Sequence, residues 1–134
     1  MRIVPVLLFA ATLTSCTAHP PVAAVDPYGA ARLNSLIAGK VAGPPSRCLS
    51  FRISNVRLVN ANTLAYDAGA RTYINRVQGT CGAIGPNNYS IVTRPFGFGG
   101  PCRGDLVHLV EPGSGIPAGS CVLGDFVPYT APGR

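Results

Sequence analysis

Cysteine is the residue type with the most distinctive chemistry in this chain, because its thiol can carry a lipid, bind a metal or form a disulfide. One cysteine, Cys16, lies in the N-terminal stretch of the 134-residue sequence. Four more follow: Cys48, Cys81, Cys102 and Cys121. No pair of them has the Cys-x-x-Cys spacing of zinc sites, and the only histidine near them is His108. Apart from Cys16, the chain therefore has four cysteines, and this even number in a small domain that is predicted to be exported indicates two disulfides, with no metal and no cofactor.

Motifs of established enzyme chemistry are missing from the sequence. It has no Gly-x-Ser-x-Gly elbow and no His-Glu-x-x-His pair. His108 and Asp105 could form a triad with a serine, but His108 lies in the apolar run 106–110. A strand histidine is the favoured interpretation there. The five acidic residues are too far apart in sequence to support paired-carboxylate hydrolysis. We therefore predict no catalytic residues.

Aromatic side chains are the candidates for a small-ligand site: Tyr66, Tyr73, Phe96 and Phe98. The two phenylalanines belong to the glycine-rich run 96–100, which lacks the Lys-Ser/Thr of a phosphate-binding loop and is typical of a turn. Arginines interleave with the tyrosines, a pattern that can hold single-stranded nucleic acid. Solvated arginines on outer sheet faces explain the same pattern. Because the chain is predicted to be exported, we expect no nucleic-acid partner.

The elements that must position these residues are short. The chain has 16 glycines and 13 prolines, which favours turns and excludes a coiled coil or a helical bundle. One helix is predicted over residues 27–38, with Asp26 as its N-cap and Gly39 as its stop. Three apolar residues of this helix have helical spacing and are expected to dock on the domain: Leu33, Leu36 and Ile37.

Short apolar segments separated by turn residues predict six strands, over residues 49–59, 63–66, 71–77, 89–94, 106–110 and 122–127. The connections are too short for crossover helices, so the sheet should be antiparallel. The apolar positions change parity near Ser54, which suggests a bulge or bend. The fold class is therefore mainly β, a six-stranded antiparallel meander closed as a barrel or packed as a sandwich. Alternation places Leu64 and Tyr66 on its buried face.

Four cysteines can form two disulfides in three ways, and the predicted strand directions distinguish among them. In a meander that starts at residue 49, Cys48 and Cys102 lie at one end, and Cys81 and Cys121 lie at the other. A disulfide requires Cα atoms within about 7 Å, which excludes partners at opposite ends of a sheet. The meander therefore predicts the pairs Cys48–Cys102 and Cys81–Cys121.

The N-terminus predicts an export signal over residues 1–15, with one positive charge and a short apolar core. Leu13-Thr14-Ser15-Cys16 resembles the lipobox of bacterial lipoproteins. The resemblance implies cleavage before Cys16 and acylation of its thiol, for example with palmitate, which would anchor the protein in the membrane. Thr17 after the cysteine implies sorting to the outer membrane, facing the periplasm. Residues 16–25 would then form the lipidated cysteine and a proline-containing tether, and residues 26–134 a single β-rich domain.

Most of the domain, residues 48–129, is similar to small proteobacterial lipoproteins grouped as a domain of unknown function. The segments that carry this similarity are Cys48-Leu49 and residues 62–66, 72–75, 91–94, 102–105 and 119–129. The resemblance implies a four-cysteine envelope domain and no activity.

Three functional hypotheses follow. The first is a non-enzymatic contact or scaffold module of the cell envelope, whose partner is an envelope protein or an anionic envelope polymer. Cleavage before Cys16 leaves ten basic and five acidic side chains, a net charge of +5 that favours anionic neighbours. The second is a small-ligand-binding β domain of the periplasm that uses the four aromatic residues. The third is an enzyme that uses His108 and Asp105.

Overall fold

A computed structural model describes residues 26–50, 52–82, 89–97 and 99–133. The predicted signal peptide, Cys16, the tether and Phe98 lie outside these residues. The described part contains one helix, α1 (Pro27–Ile37), and eight strands. The strands are β1 (Val41–Ala42), β2 (Asn55–Asn60), β3 (Thr63–Ala68), β4 (Arg71–Arg76), β5 (Ser90–Arg94), β6 (Leu106–Val110), β7 (Pro117–Val122) and β8 (Phe126–Thr130).

The strands form two antiparallel sheets that pack as a sandwich. One sheet has the order β1-β8-β4-β3-β2 and the other has the order β5-β6-β7. The mainly β, antiparallel fold is confirmed, and of the two predicted forms the structure has the sandwich. It differs from the predicted six-stranded meander because β8 leaves the smaller sheet and pairs with β4, with Ile74 opposite Val127.

The single strand predicted over residues 122–127 is in fact the end of β7, a turn and the start of β8. Gly124 lies in this connection and packs closely on the end of β4, since an added Cβ would lie against the carbonyl oxygen of Arg76. The first predicted strand begins only at Asn55. The irregularity in its pairing lies between Leu58 and Asn60 rather than near Ser54. The short strand β1 was not predicted.

The main core lies between the two sheets. Leu64 and Tyr66 of β3 face it and are fully buried, as strand alternation predicted. Val107 and Leu109 of β6 meet them from the smaller sheet. The Tyr66 ring contacts the ring of Phe126 edge to face, with centroids 5.3 Å apart. The interior between the sheets is therefore filled by side chains.

A second, smaller core lies on the other face of the five-stranded sheet, under α1. Val59, Ala65 and Ile74 form it, and the helix covers them with three predicted docking residues: Leu33, Leu36 and Ile37. The helix therefore docks on the domain, as its apolar spacing predicted. The helix approaches β2 closely at Gly29, where a Cβ would meet the Cβ of Asn60 at 2.5 Å.

Pro27 opens the helix and Gly39, with φ of 68°, follows its end, as predicted. Asp26 holds the N-cap position, and its carbonyl accepts a hydrogen bond from the Ala30 amide at 3.0 Å. Asp26 is therefore the N-cap, as predicted, although its side chain makes no capping hydrogen bond.

Both predicted disulfides are present, Cys48–Cys102 and Cys81–Cys121. Cys48 is exposed, whereas Cys81 and Cys121 are buried in the main core. The pairing is right although one premise is not, because Cys121 lies near the end of β7 instead of opening a strand. Each bridge joins positions at least 40 residues apart along the chain.

Candidate functional site

The predicted aromatic ligand residues lie in different environments. Tyr66 and Tyr73 are 1% and 3% exposed and belong to the main core. Phe96 is 87% exposed, and Phe98 lies outside the described residues. The structure therefore does not bring Phe96 together with the two tyrosines. Tyr73 lines a surface cleft.

The Tyr66 hydroxyl is buried and has no hydrogen-bond partner of good geometry among the described residues. Burial raises the pKa of this hydroxyl to about 12, because the phenolate would lose its solvation. The Thr93 side chain lowers the pKa and the nearby Asp105 carboxylate raises it, both by less than burial does. Tyr66 therefore stays neutral and acts as a packing residue.

Asp105 and His108 have separate structural roles. Asp105 is 2% exposed, and its carboxylate accepts hydrogen bonds from the backbone amides of Cys102 at 2.7 Å and Phe96 at 3.1 Å. It fixes the turn before β6. His108 is half-buried in mid-strand, and its neighbours Val107 and Leu109 face the core. Within the described chain, the Asp105 carboxylate makes no hydrogen bond to His108.

A surface cleft of about 380 Å³ opens at the end of the five-stranded sheet where β4 begins. Its lining residues are Gly43, Pro44, Ser46, Arg71, Tyr73, Pro128 and Thr130. Arg71 and Tyr73 come from β4, and Thr130 and Pro128 lie opposite them on β8. We call this feature the Arg71 cleft. Its volume lies in the range of small-molecule sites.

Prolines shape one wall of the Arg71 cleft. After β1 the chain continues along β8, held by a hydrogen bond from the Gly43 amide to the Pro128 carbonyl at 2.8 Å. Farther along, the Ser46 amide donates a hydrogen bond to the Phe126 carbonyl, and the Phe126 amide donates one to the Ser46 carbonyl, both at 2.9 Å. The intervening Pro44 has no amide hydrogen, so it cannot continue the ladder. Between these two sets of hydrogen bonds, the segment after β1 has one residue more than β8. Its backbone is therefore irregular, and it forms one wall of the cleft.

The charge of the cleft comes from Arg71, which is exposed and has no ion-pair or hydrogen-bond partner for its side chain among the described residues. The carboxylate nearest in register, that of Asp67, belongs to the opposite face of the sheet. There it binds the Arg57 guanidinium at 2.7 Å and accepts a hydrogen bond from the Thr72 hydroxyl at 3.3 Å. The Thr72 hydroxyl in turn accepts one from Lys40 at 2.9 Å. Both carboxylate oxygens of Asp67 are thus engaged away from Arg71.

Ser46 lines the cleft as a residue, but its hydroxyl is buried beneath the surface and has no hydrogen-bond partner among the described residues. Sequence reasoning found Tyr73 but missed the cleft itself, because its walls come from three separate segments. The proline pair after Gly43 was the one local signal of an irregular backbone there.

Positive charge dominates the described surface. The described residues include nine lysine and arginine side chains and five carboxylates, and only two ion pairs form among them, Arg57–Asp67 and Arg103–Asp125. The Asp105 carboxylate is buried on backbone amides, and one carboxylate oxygen of Asp26 is buried. Glu111 is the single exposed carboxylate outside an ion pair in the described residues. Seven described cations are left without an ion pair: Arg32, Lys40, Arg47, Arg52, Arg71, Arg76 and Arg94.

Within the described part of the chain, no group of three or more histidine, cysteine, aspartate or glutamate side chains is placed to hold a metal ion. The helix that the structure describes is too short and too polar to span a membrane.

Comparisons of the chain with protein-family models, with curated proteins and with solved structures gave no match. The resemblance to small proteobacterial lipoproteins therefore stays a prediction from the sequence, and function has to be argued from the site.

Proposed function

We propose that this chain is a bacterial envelope lipoprotein, held by acylated Cys16 in the outer membrane and facing the periplasm. Its β domain is a non-enzymatic contact module that binds an anionic envelope polymer. The observation that supports the polymer partner is the set of seven unpaired cations against a single exposed, unpaired carboxylate in the described residues. Such an imbalance attracts polyanions and raises their association rate.

The placement of the cations favours a polymer over a flat lipid surface. Arg71 and Arg76 are both exposed and begin and end β4. Six strand residues separate these ends by about 17 Å. Because side chains alternate along a strand, Arg71 lies on the same face as Tyr73, and Arg76 lies on the opposite face with Ile74. A planar membrane would contact one face, whereas a flexible polyanion can contact both. We therefore name a carboxylate-bearing cell-wall polymer as the partner.

The anchor has its own test. Cys16→Ser should move the protein from the membrane fraction to the soluble fraction, or leave it unprocessed, because the acylated thiol is removed. Metabolic labelling with a fatty acid should mark the wild-type protein and not the variant. Continued acyl labelling of Cys16→Ser would contradict the lipidation proposal.

The contact is tested with the full acylated protein in detergent and insoluble cell-wall sacculi. We expect the protein to sediment with sacculi at low salt and to be released at about 0.5 M salt, where charges are screened within a few Å. A variant with Arg47, Arg71, Arg76 and Arg94 all changed to Gln should sediment less. Sedimentation with sacculi that changes neither with salt nor with these substitutions would overturn the proposal. Displacement by phosphatidylglycerol added to the micelles would assign the contact to lipid instead.

A further inference from the structure

The Arg71 cleft holds an unpaired guanidinium next to a threonine. Arg71 lines it without an ion pair among the described residues. Thr130, whose side chain carries a hydroxyl, also lines it and lies opposite Arg71 on β8. A guanidinium presents paired N–H donors that match the two oxygens of a carboxylate. The polar groups of the cleft are therefore suited to one small oxyanion.

The remaining walls are apolar. Pro44 and Pro128 line the cleft together with Tyr73. Proline rings and an aromatic ring pack well against aliphatic groups or the faces of sugar rings. The volume of about 380 Å³ would hold roughly a dozen waters at about 30 Å³ each. There is thus room for an acidic group together with the small body that carries it.

The charge of the cleft selects among anions. Arg71 is its single cationic lining residue, and the nearby Lys40 bonds to Thr72 on the other face of the sheet. A phosphate monoester carries nearly two negative charges at neutral pH, and one guanidinium balances only part of that. A carboxylate carries one charge and is balanced by Arg71 alone. The match in charge favours the carboxylate.

We infer that the Arg71 cleft is a binding site for a carboxylate on a small apolar or sugar-like body, with Arg71 holding the carboxylate. This inference rests on the proposed function, since pendant carboxylates of the cell-wall polymer would be its ligands. It makes the cleft the one stereospecific contact within an otherwise diffuse electrostatic attraction.

The experiment titrates the isotopically labelled full chain, in detergent, with N-acetylalanine, glucuronate or inorganic phosphate, and follows backbone amide shifts by NMR. The first two probes distinguish a peptide carboxylate from a sugar carboxylate. We expect one of them to shift the amides of Gly43, Ser46 and Arg71, and phosphate to bind more weakly. Tighter binding of phosphate, or shifts spread over all arginine segments, would overturn the inference.

Arg76→Gln is the matched control for Arg71→Gln, because both arginines are exposed, terminate the same strand and lack ion pairs. Arg71→Gln should weaken carboxylate binding by about tenfold or more, the range of a hydrogen-bonded charge contact. Arg71→Lys should restore it only in part, because an ammonium lacks the paired donors of a guanidinium. Equal losses in Arg71→Gln and Arg76→Gln would show general charge attraction and no site.

Failure of this inference can be told from failure of the proposed function. If the four-arginine variant loses sacculus binding but Arg71→Gln keeps it and small carboxylates do not bind, the contact function stands and the cleft has no role. If small carboxylates bind at the cleft but sacculi do not, the site stands and the polymer partner is wrong.

Discussion

The Asn75 side chain and the Gly124 backbone exchange two hydrogen bonds across 49 residues of sequence. Asn75 Nδ2 donates to the Gly124 carbonyl at 2.8 Å, and the Gly124 amide donates to Asn75 Oδ1 at 3.0 Å. Both residues are buried. This pair fixes the turn at which the chain leaves the smaller sheet and enters the larger one, so it defines the sandwich topology.

Asn75→Ala should destabilise the domain by about 2–4 kcal/mol, because it leaves the Gly124 amide and carbonyl buried without partners. The free energy of unfolding, from urea denaturation followed by circular dichroism, measures the effect.

Asn55→Ala is the control for Asn75→Ala, since Asn55 lies in the same sheet, is exposed and makes no side-chain hydrogen bond in the described structure. It should change stability by less than about 0.5 kcal/mol. Equal losses in the two variants would show that the Asn75 bonds do not hold the turn.

Leu64→Asp should unfold the domain, because it places a carboxylate in the main core, where Leu64 is fully buried. Val92→Asp is the matched control, since Val92 is a strand residue that is 43% exposed. A cooperative thermal transition should be lost in the first variant and kept in the second. A folded Leu64→Asp domain would mean that this face of β3 is not the core face.

Local patterns were enough to predict the docked helix and the buried face of β3. The spacing of Leu33, Leu36 and Ile37 predicted the docked helix, and alternation predicted the burial of Leu64 and Tyr66. Both signals depend on residues a few positions apart, so the sequence displays them directly.

The division of the chain between two sheets could not be read in the same way. Val122, Leu123 and Phe126 look like one apolar strand, and the turn inside it is held by Asn75, 49 residues away. The Arg71 cleft depends on β4, β8 and the segment after β1 meeting at one edge. Its chemistry becomes visible only when Asp67 is found on the opposite face, bound to Arg57. Each of these features depends on contacts between residues far apart in the sequence, so local patterns do not display them.

The two disulfides should differ in their ease of reduction. Cys48 is exposed, whereas Cys81 and Cys121 lie in the main core. Because a thiolate must reach a sulfur atom to attack it, a mild thiol reductant should open Cys48–Cys102 first. Alkylation of the released thiols followed by peptide mapping measures the order. Earlier release of Cys81 and Cys121 would contradict the burial argument.

Paired substitutions test the connectivity. Cys48→Ala with Cys102→Ala removes one bridge that spans 54 residues and should lower stability by roughly 4 kcal/mol, with no free thiol left. Cys48→Ala with Cys81→Ala breaks both bridges and should leave free thiols or a non-native bridge. Thiol titration under denaturing conditions separates the two results, and a Cys81–Cys102 peptide in the native protein would refute the pairing.

Because the Tyr66 hydroxyl is buried, we expect the domain to lose stability in alkali. Its pKa is raised from about 10 in the unfolded chain to about 12 in the folded domain. The unfolded state therefore releases the proton first, and the stability from neutral Tyr66 is complete below pH 10. It falls by about 1.4 kcal/mol per pH unit between pH 10 and 12. Tyr66→Phe removes this dependence and, because the hydroxyl lacks a good partner, should cost little at pH 8. Urea denaturation of both proteins at pH 8, 10 and 11 measures the difference, and parallel pH profiles would show that the Tyr66 hydroxyl is not buried.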